Sequence, residues 1–165
     1  MSNPVAEFEH RFADLLAHVG DLNVAALLDA LQTRSLEPDE TAIVQGEPHD
    51  SLLLVEWGQL VVEVKGVEVS RLGPGEVAGE VGLLDPGLAT ATVKAAEPTM
   101  IHVLTAEVLE QLWTEHPAVA SSLVQGLTRV VSERLRSIEG DLDKLAGDQK
   151  GGVLGVLKRL FGRAA

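Results

Sequence analysis

Residues 71–84 read RLGPGEVAGEVGLL, and residues 89–93 read ATATV. The second stretch begins ten positions after Gly79, the glycine of the glycine-glutamate pair in the first stretch. Further upstream, residues 45–62 read QGEPHDSLLLVEWGQLVV, with glycines at turn positions. Residues 35–104 as a whole consist of short apolar runs separated by glycine and proline, a pattern that predicts a series of short strands.

These stretches, in this order and with this spacing, resemble the cyclic-nucleotide-binding domain family, of the catabolite-activator and protein-kinase-A regulatory-subunit type. Residues 71–93 resemble its phosphate-binding cassette, and residues 45–62 resemble its first β-hairpin region. The resemblance extends from about Phe12 to about Ile138. It implies an α+β fold, in which a β-roll (a double-stranded β-helix or jelly-roll) is flanked by N-terminal helices and a long C-terminal helix.

The resemblance also implies a ligand site at the cassette. In the family, the glycine-glutamate pair offers backbone N–H groups and a carboxylate to the sugar-phosphate of cyclic AMP or cyclic GMP. An arginine ten positions after the glycine neutralises the cyclic phosphate, and in this chain that position is Ala89. The frame of the site is therefore present without its main anion-binding side chain. The residues that the resemblance places in the site are Gly79, Glu80, Val81, Gly82, Ala89, Thr90 and Ala91.

Two functions follow from the alanine at position 89. The first is a stand-alone regulatory or adaptor module with weak or lost cyclic nucleotide binding, because a missing charge-assisted contact removes about 1.5–3 kcal/mol. The alternative is a genuine cyclic AMP or cyclic GMP sensor whose ligand moves the C-terminal helix. Asp85 would add an acid at the pocket mouth, whereas Lys94, Arg134 or Arg136 could supply a replacement cation. Alternatively, the glycines and Glu80 serve only the conformation of the turn, with the carboxylate capping local N–H groups, and bind no ligand.

Composition shifts divide the chain into a domain, a linker and a tail. Within the domain, we expect N-terminal helices over residues 5–32, the β-roll over residues 35–104 and C-terminal helices over residues 105–145. The complete division is residues 1–145 for the cyclic-nucleotide-binding-like domain, 146–152 for a flexible glycine-containing linker and 153–165 for a basic amphipathic tail.

Local signals mark several boundaries inside the domain. Lys65-Gly66 predicts a two-residue turn between two strands, because Gly66 can supply a positive φ. Asn23 and Thr105 are predicted N-caps of helices. Pro117 is expected to interrupt the second of these helices.

Residues 118–145 predict one long helix that carries an apolar stripe at steps of three and four from Val131 onward. The stripe predicts a homodimer through this helix. The alternatives are a lid over the ligand and a helix that lies against its own roll. Gly126 and Gly140 are expected to weaken the helix. The members of the stripe are Val124, Val131, Leu135, Ile138, Leu142 and Leu145.

The predicted tail, residues 153–165, places four apolar side chains on one helical face and its cations away from that face. Because a chain needs no glycine tether to fold a helix onto itself, the linker favours docking to another body. The candidates are a protein partner, the shell of a bacterial protein compartment and an anionic membrane surface. The alternative is that the tail packs back on the acidic body through its cations.

The charge distribution limits the partners. The chain of 165 residues has a formal charge of −12, and residues 149–165 hold four cations and no acid, so residues 1–148 carry −16. Such a body repels nucleic acid, and the segment after the long helix is too short for a helix-turn-helix domain. The N-terminus lacks the basic and apolar regions of a secretion signal. We therefore expect no nucleic-acid partner and a cytoplasmic location, with the tail as a means of recruitment to a membrane surface or protein compartment.

No catalytic or metal site is expected. The five histidines are scattered, and no two of them lie at metal-ligand spacing on one predicted helix. The chain contains no cysteine, which excludes thiolate zinc sites and cysteine nucleophiles. Neither a G-x-S-x-G motif nor a phosphate-binding P-loop occurs in the sequence.

Overall fold

The computed structural model describes residues 3–17, 19 and 21–148. Helices open the chain, and the first begins where the Asn3 side chain accepts a hydrogen bond from the Val5 N–H at 3.1 Å. The prediction that Asn23 caps a helix is wrong, because that helix already begins at Asp21, and acidic residues are favoured in a first helical turn. The bounds are α1 Pro4–Arg11, α2 Ala13–Leu16 and α3 Asp21–Ala30.

The strands that follow are all paired in antiparallel fashion and form a β-roll. One sheet has the order β1-β10-β4-β7, another has the order β2-β9-β5-β6, and β3 pairs with β8. A short helix, α4, lies between β7 and β8. The bounds are β1 Gln32–Leu36, β2 Thr41–Ile43, β3 Pro48–His49, β4 Ser51–Trp57, β5 Leu60–Val64, β6 Val67–Leu72, β7 Val77–Ala78, α4 Glu80–Leu84, β8 Gly87–Leu88, β9 Thr92–Ala95 and β10 Thr99–Thr105.

An apolar core fills the interior of the roll. Leu60 faces Leu72 on β6 and Ala95 on β9, and all three side chains are buried in the same cluster. Because side chains alternate between the two faces of a strand, this set defines the inner face of the β2-β9-β5-β6 sheet. The other members of the cluster are Leu36, Ile43, Leu53, Val55, Ala78, Val93 and Ile101.

The predicted hairpin turn at Lys65-Gly66 is confirmed. Both residues have a positive φ, 52° and 78°, and Val64 pairs directly with Val67 across the turn. Two positive φ values at the central residues are characteristic of the tight turn that suits a twisted hairpin. The register then shifts, so that Val69 forms a bulge in β6 between paired residues.

Two helices complete the described chain, and both boundary predictions are confirmed. The Thr105 hydroxyl accepts a hydrogen bond from the Val108 N–H at 3.2 Å, which caps α5 (Ala106–Glu115). Pro117 then opens α6 (Pro117–Asp148), since proline at a first helical position gives up no helical hydrogen bond. The predicted α+β fold, a β-roll with N-terminal helices and a long C-terminal helix, is confirmed.

Gly126 lies where α6 crosses the N-terminal helices. A Cβ atom at this position would overlap the backbone carbonyl oxygen of Leu15 and lie 3.0 Å from its carbonyl carbon. Glycine therefore lets the two backbones approach each other with no side chain between them. The buried helical face around it includes Leu123 and Leu127, whose side chains are fully buried.

The chain divides within α6 into two units, Met1–Leu127 and Thr128–Ala165. The first unit holds the β-roll, and the second begins with the remainder of α6. Because α6 extends to Asp148, residues 146–148 of the predicted linker are helical. The rest of the linker and the predicted tail, 153–165, lie outside the described residues. In the described part of the chain, no helix combines the length and apolar composition needed to cross a bilayer.

Candidate functional site

The cassette is built on Gly79, which joins β7 to α4 in a left-handed conformation with φ 82°. A Cβ atom here would overlap the Ser51 carbonyl oxygen and lie 2.6 Å from the Nε2 atom of His49. Both the backbone conformation and the space therefore require glycine. The predicted glycine-glutamate pair thus stands at the start of a helical turn that is packed tightly against β3 and β4.

His49 is a contact of the cassette that the sequence interpretation did not single out. Its Nε2 atom lies 2.5 Å from the Ser51 carbonyl oxygen, and since a carbonyl can only accept, Nε2 carries the hydrogen. The ring also adjoins Gly82, where a Cβ atom would lie 2.6 Å from the imidazole Cδ2. Two cassette glycines thus make room for one imidazole. The only indication of this role in the sequence was that His49 lies within residues 45–62, the other stretch that resembles the family.

Glu80 lies at the first position of α4 and is buried, with 9% of the residue exposed. Val81, the next residue, is 52% exposed, and Gly82 is half-buried. The Leu83 N–H donates to the Gly79 carbonyl at 3.0 Å, which closes the first turn of α4. The structure therefore brings Gly79 to Gly82 together as one compact turn.

Ala89 is half-buried and packs against the apolar core of the roll. Its backbone is fully engaged: the Gly46 N–H donates to its carbonyl at 2.8 Å, and its own N–H donates to the Glu47 carbonyl at 2.8 Å. Thr90 is exposed, and Ala91 is half-buried. This is the position at which the family carries its phosphate arginine. Here its backbone is hydrogen-bonded to the loop after β2, and its side chain is apolar.

Four of the five lysines and arginines in residues 1–127 are held by carboxylates. The fifth is Lys65, whose backbone N–H donates to the Gln45 side chain at 2.7 Å. Lys94 Nζ lies 2.6 Å from Glu63 Oε1, and this hydrogen bond raises the pKa of Lys94 above its ordinary value. Lys94 alternates with the inward-facing Val93 and Ala95, so it points to the outer face of the sheet. Arg11, Arg34 and Arg71 pair with Glu56, Glu40 and Glu68 at 3.1, 2.7 and 2.6 Å.

An open groove of about 520 Å³ lies along the ribbon formed by β3 and β8. Leu88, which is 68% exposed, is one of its apolar lining residues. The seven residues predicted for the ligand site are not among those that line the groove, which are Pro48, His49, Asp50, Pro86, Gly87 and Leu88. His49 is thus shared between the groove and the cassette. Over residues 3–17, 19 and 21–148, no three histidine or carboxylate side chains converge as a metal ion would require.

The family model described as cyclic nucleotide-binding domain matches residues 33–116, just over half of the chain. This protein belongs to the cyclic nucleotide-binding domain family. The match includes the cassette, the β3–β8 ribbon and all of the strands from β2 to β10. The resemblance inferred from residues 45–62 and 71–93 is therefore confirmed.

Known members of the family share both sequence and fold with this domain. The cAMP-dependent protein kinase regulatory subunit of Yarrowia lipolytica is 38% identical over 84 residues, covering 48% of this chain and 22% of that protein. The catabolite activator protein of Thermus thermophilus superposes with a TM-score of 0.69 at 29% identity, covering 81% of this chain and 63% of that chain. A cyclic nucleotide-binding domain from Methylobacillus flagellatus gives a TM-score of 0.75 at 21% identity, covering 92% of this chain and 89% of that chain. The chain spans a third or less of the curated relatives that it matches.

Proposed function

We propose that this cyclic nucleotide-binding domain is a regulatory or adaptor module in which cyclic nucleotide binding is weak or lost. The observation that supports this proposal is Ala89, which packs against the apolar core and carries no charge where the family has its phosphate arginine. A buried contact between arginine and phosphate contributes about 1.5–3 kcal/mol. Its loss corresponds to an affinity that is lower by about tenfold to a hundredfold or more.

Four of the five cations in residues 1–127 are engaged by carboxylates and do not supply this charge. Lys94 is the nearest of them in sequence, and it is held by Glu63 on the outer face of the sheet. Around the cassette, the exposed side chains of Glu47 and Asp85 add negative charge instead. An anionic ligand would therefore lose its hydration without gaining an opposite charge from these residues.

The alternative function, a cyclic AMP or cyclic GMP sensor, is favoured by the retained geometry of Gly79 and Glu80. The left-handed glycine and the buried glutamate are the features that the family uses at its sugar-phosphate site. They are equally consistent with a turn that packs against His49 and Ser51. The two functions are distinguished by comparing the nucleotide affinity of the unmodified chain with that of a variant that carries arginine at position 89.

Titration calorimetry with cyclic AMP and cyclic GMP provides this test. We expect the unmodified chain to give no saturable signal at micromolar ligand, and Ala89→Arg to bind at least about tenfold more tightly. Leu88→Arg is the matched control, since it adds the same charge at the adjacent exposed position, which is not among the predicted site residues. Saturable binding by the unmodified chain at micromolar ligand would overturn the proposal and support the sensor.

We further propose that the module acts as a homodimer through the second half of α6. Leu135 and Ile138 are each 57% exposed there, which is unusual for large apolar side chains at coiled-coil spacing. With these residues at the two core positions of the heptad, Arg134 and Glu139 flank the stripe on opposite sides. In a parallel pair of helices, Arg134 of one copy faces Glu139 of the other, so the charges favour a parallel dimer.

Substituting Leu135→Glu together with Ile138→Glu is expected to convert the dimer to a monomer, because it places four carboxylates in the seam of the two copies. Ser137→Glu is the control, since it adds one carboxylate to each copy on the same helix away from the stripe. Light scattering coupled to size-exclusion chromatography measures the mass. A monomeric unmodified chain at micromolar concentration would refute the dimer.

The tail, residues 153–165, is proposed to supply the docking contact with a larger assembly. Its support is its sequence: a basic amphipathic segment that follows a body of charge −16. Comparing anionic with neutral lipid vesicles in sedimentation distinguishes a membrane surface from a protein partner or shell. A chain that ends at Asp148 is the reference for this comparison.

A further inference from the structure

The groove along the β3–β8 ribbon has a floor that backbone pairing holds in place. The two antiparallel pairs of the ribbon are Pro48 with Leu88 and His49 with Gly87. The pairing continues one step further, where the Ala89 N–H donates to the Glu47 carbonyl at 2.8 Å. The groove volume of about 520 Å³ lies within the range of small-molecule sites. The ribbon therefore offers a preformed surface of a size that suits a small organic molecule.

His49 gives this groove a hydrogen-bond acceptor and no donor. Its Nε2 hydrogen is donated to the Ser51 carbonyl, and the Nε2–Cδ2 edge of the ring adjoins Gly79 and Gly82. Nδ1 lies on the opposite edge of the imidazole. In a neutral ring with its hydrogen on Nε2, Nδ1 carries only a lone pair. Within the described part of the chain, no group donates to this atom.

The remaining lining residues also lack side-chain donors. Asp50 has a carboxylate, which only accepts when it is ionised. Pro48 and Pro86 have no backbone N–H, and their rings are apolar. Leu88 adds an apolar side chain that is 68% exposed. The side chains of the groove thus present acceptors and apolar surface to a ligand.

Carboxylates lie at both ends of the ribbon. Glu47 immediately precedes β3 and Asp85 lies two residues before β8, so the antiparallel pairing places them at opposite ends. Both are exposed, as is Asp50, and none of the three forms an ion pair with another described residue. Lys65 is also not held by a carboxylate there, but it lies in the β5–β6 turn and does not line the groove. A cleft with charges of one sign attracts the opposite charge.

We propose that the β3–β8 groove binds a small organic cation, an ammonium group carried on an apolar skeleton. The ammonium donates to the Asp50 carboxylate and to Nδ1 of His49, and such charge-assisted hydrogen bonds are the strong ones. The skeleton covers Leu88 and the two prolines, which buries apolar area. This ligand is opposite in charge to a cyclic nucleotide. The inference goes beyond the proposed function and is independent of it, because the seven predicted cassette residues do not line the groove.

The test uses the full chain and three probes on one ring system: 1-naphthylmethylammonium, the uncharged 1-naphthalenemethanol and the anionic 1-naphthoate. Titrations are followed by the backbone amide resonances of the isotope-labelled protein. We expect saturable shifts at His49, Asp50 and Leu88 with the ammonium, and an affinity for the alcohol that is at least about tenfold lower. The naphthoate is expected to bind most weakly, because it meets only acceptors.

Asp50→Asn is expected to lower the affinity for the ammonium by about tenfold and to leave that for the alcohol unchanged. Asp29→Asn is the matched control, since it removes the same charge at an exposed position on α3 that does not line the groove. Equal losses in the two variants would show that only the overall charge attracts the probe, which would overturn the inference. Equal affinity for all three probes, or no saturable shift at the ribbon, would also overturn it. Cyclic AMP is titrated separately, so that failure of the proposed function is recognised by nucleotide binding alone.

Discussion

Gly126→Ala is expected to lower the free energy of unfolding by about 2–3 kcal/mol, although alanine is the better helix former. The added methyl group would overlap the backbone carbonyl of Leu15, an atom that belongs to another helix and cannot rotate away. Relief requires α6 and α2 to separate, which would loosen the packing of the buried face around Leu123 and Leu127. Urea denaturation followed by circular dichroism measures the change.

Gly140→Ala is the matched control on the same helix. A Cβ atom at Gly140 meets nothing within 4 Å, so only the helix propensity changes. We expect this variant to be more stable than the unmodified chain by up to about 1 kcal/mol. Opposite signs for the two substitutions would establish the close helix crossing. A neutral or stabilising Gly126→Ala would show that the two helices are further apart than described.

Gly79→Ala is expected to destabilise the domain by about 2–4 kcal/mol, and its effect should be concentrated in the cassette. The left-handed conformation costs an alanine about 1–2 kcal/mol. The remainder comes from overlap with the Ser51 carbonyl and from the approach to His49 Nε2 at 2.6 Å. Thermal denaturation measures the loss of stability.

Gly66→Ala controls for the backbone conformation alone. Gly66 also has a positive φ, 78°, but a Cβ atom there meets nothing within 4 Å. It should cost only the conformational part, about 1–2 kcal/mol. His49→Ala in the Gly79→Ala background is expected to restore part of the loss, because the two residues are in contact and their effects are not additive. If Gly66→Ala and Gly79→Ala were equally destabilising, packing against His49 would be irrelevant to the cassette.

Elements with a local chemical signal were predicted correctly from the sequence. The Lys65-Gly66 turn, the Thr105 cap and the break at Pro117 each depend on the conformational preference or hydrogen-bonding group of the residue itself. The prediction of an N-cap at Asn23 was wrong because the helix begins two residues earlier, at Asp21, which is also suited to a first helical turn. Capping preferences identify suitable residues, and the packing of the helix decides which one is used.

The candidate site was only partly accessible to sequence reasoning. The motif placed Gly79 and Glu80 together, and the structure adds the reason for the glycine, which is the carbonyl of Ser51. His49 carries no signal of its own, because its role depends on the tertiary packing that brings its imidazole against Gly79 and Gly82. The assignment of the seven site residues stays a prediction until the binding of a ligand to them is measured.

The sequence by itself determined the family, the α+β class and the absence of arginine at position 89, because spacing and residue type are written directly in the chain. Only the tertiary structure decided where the charges lie. Sheet alternation and register put Lys94 against Glu63 on the outer face and left Val62 and Ala89 on the apolar interior. Likewise, Gly126 looks like a weakness in an isolated helix, but it is a requirement once that helix crosses Leu15. Both outcomes depend on contacts between residues distant in sequence, which local propensity does not contain.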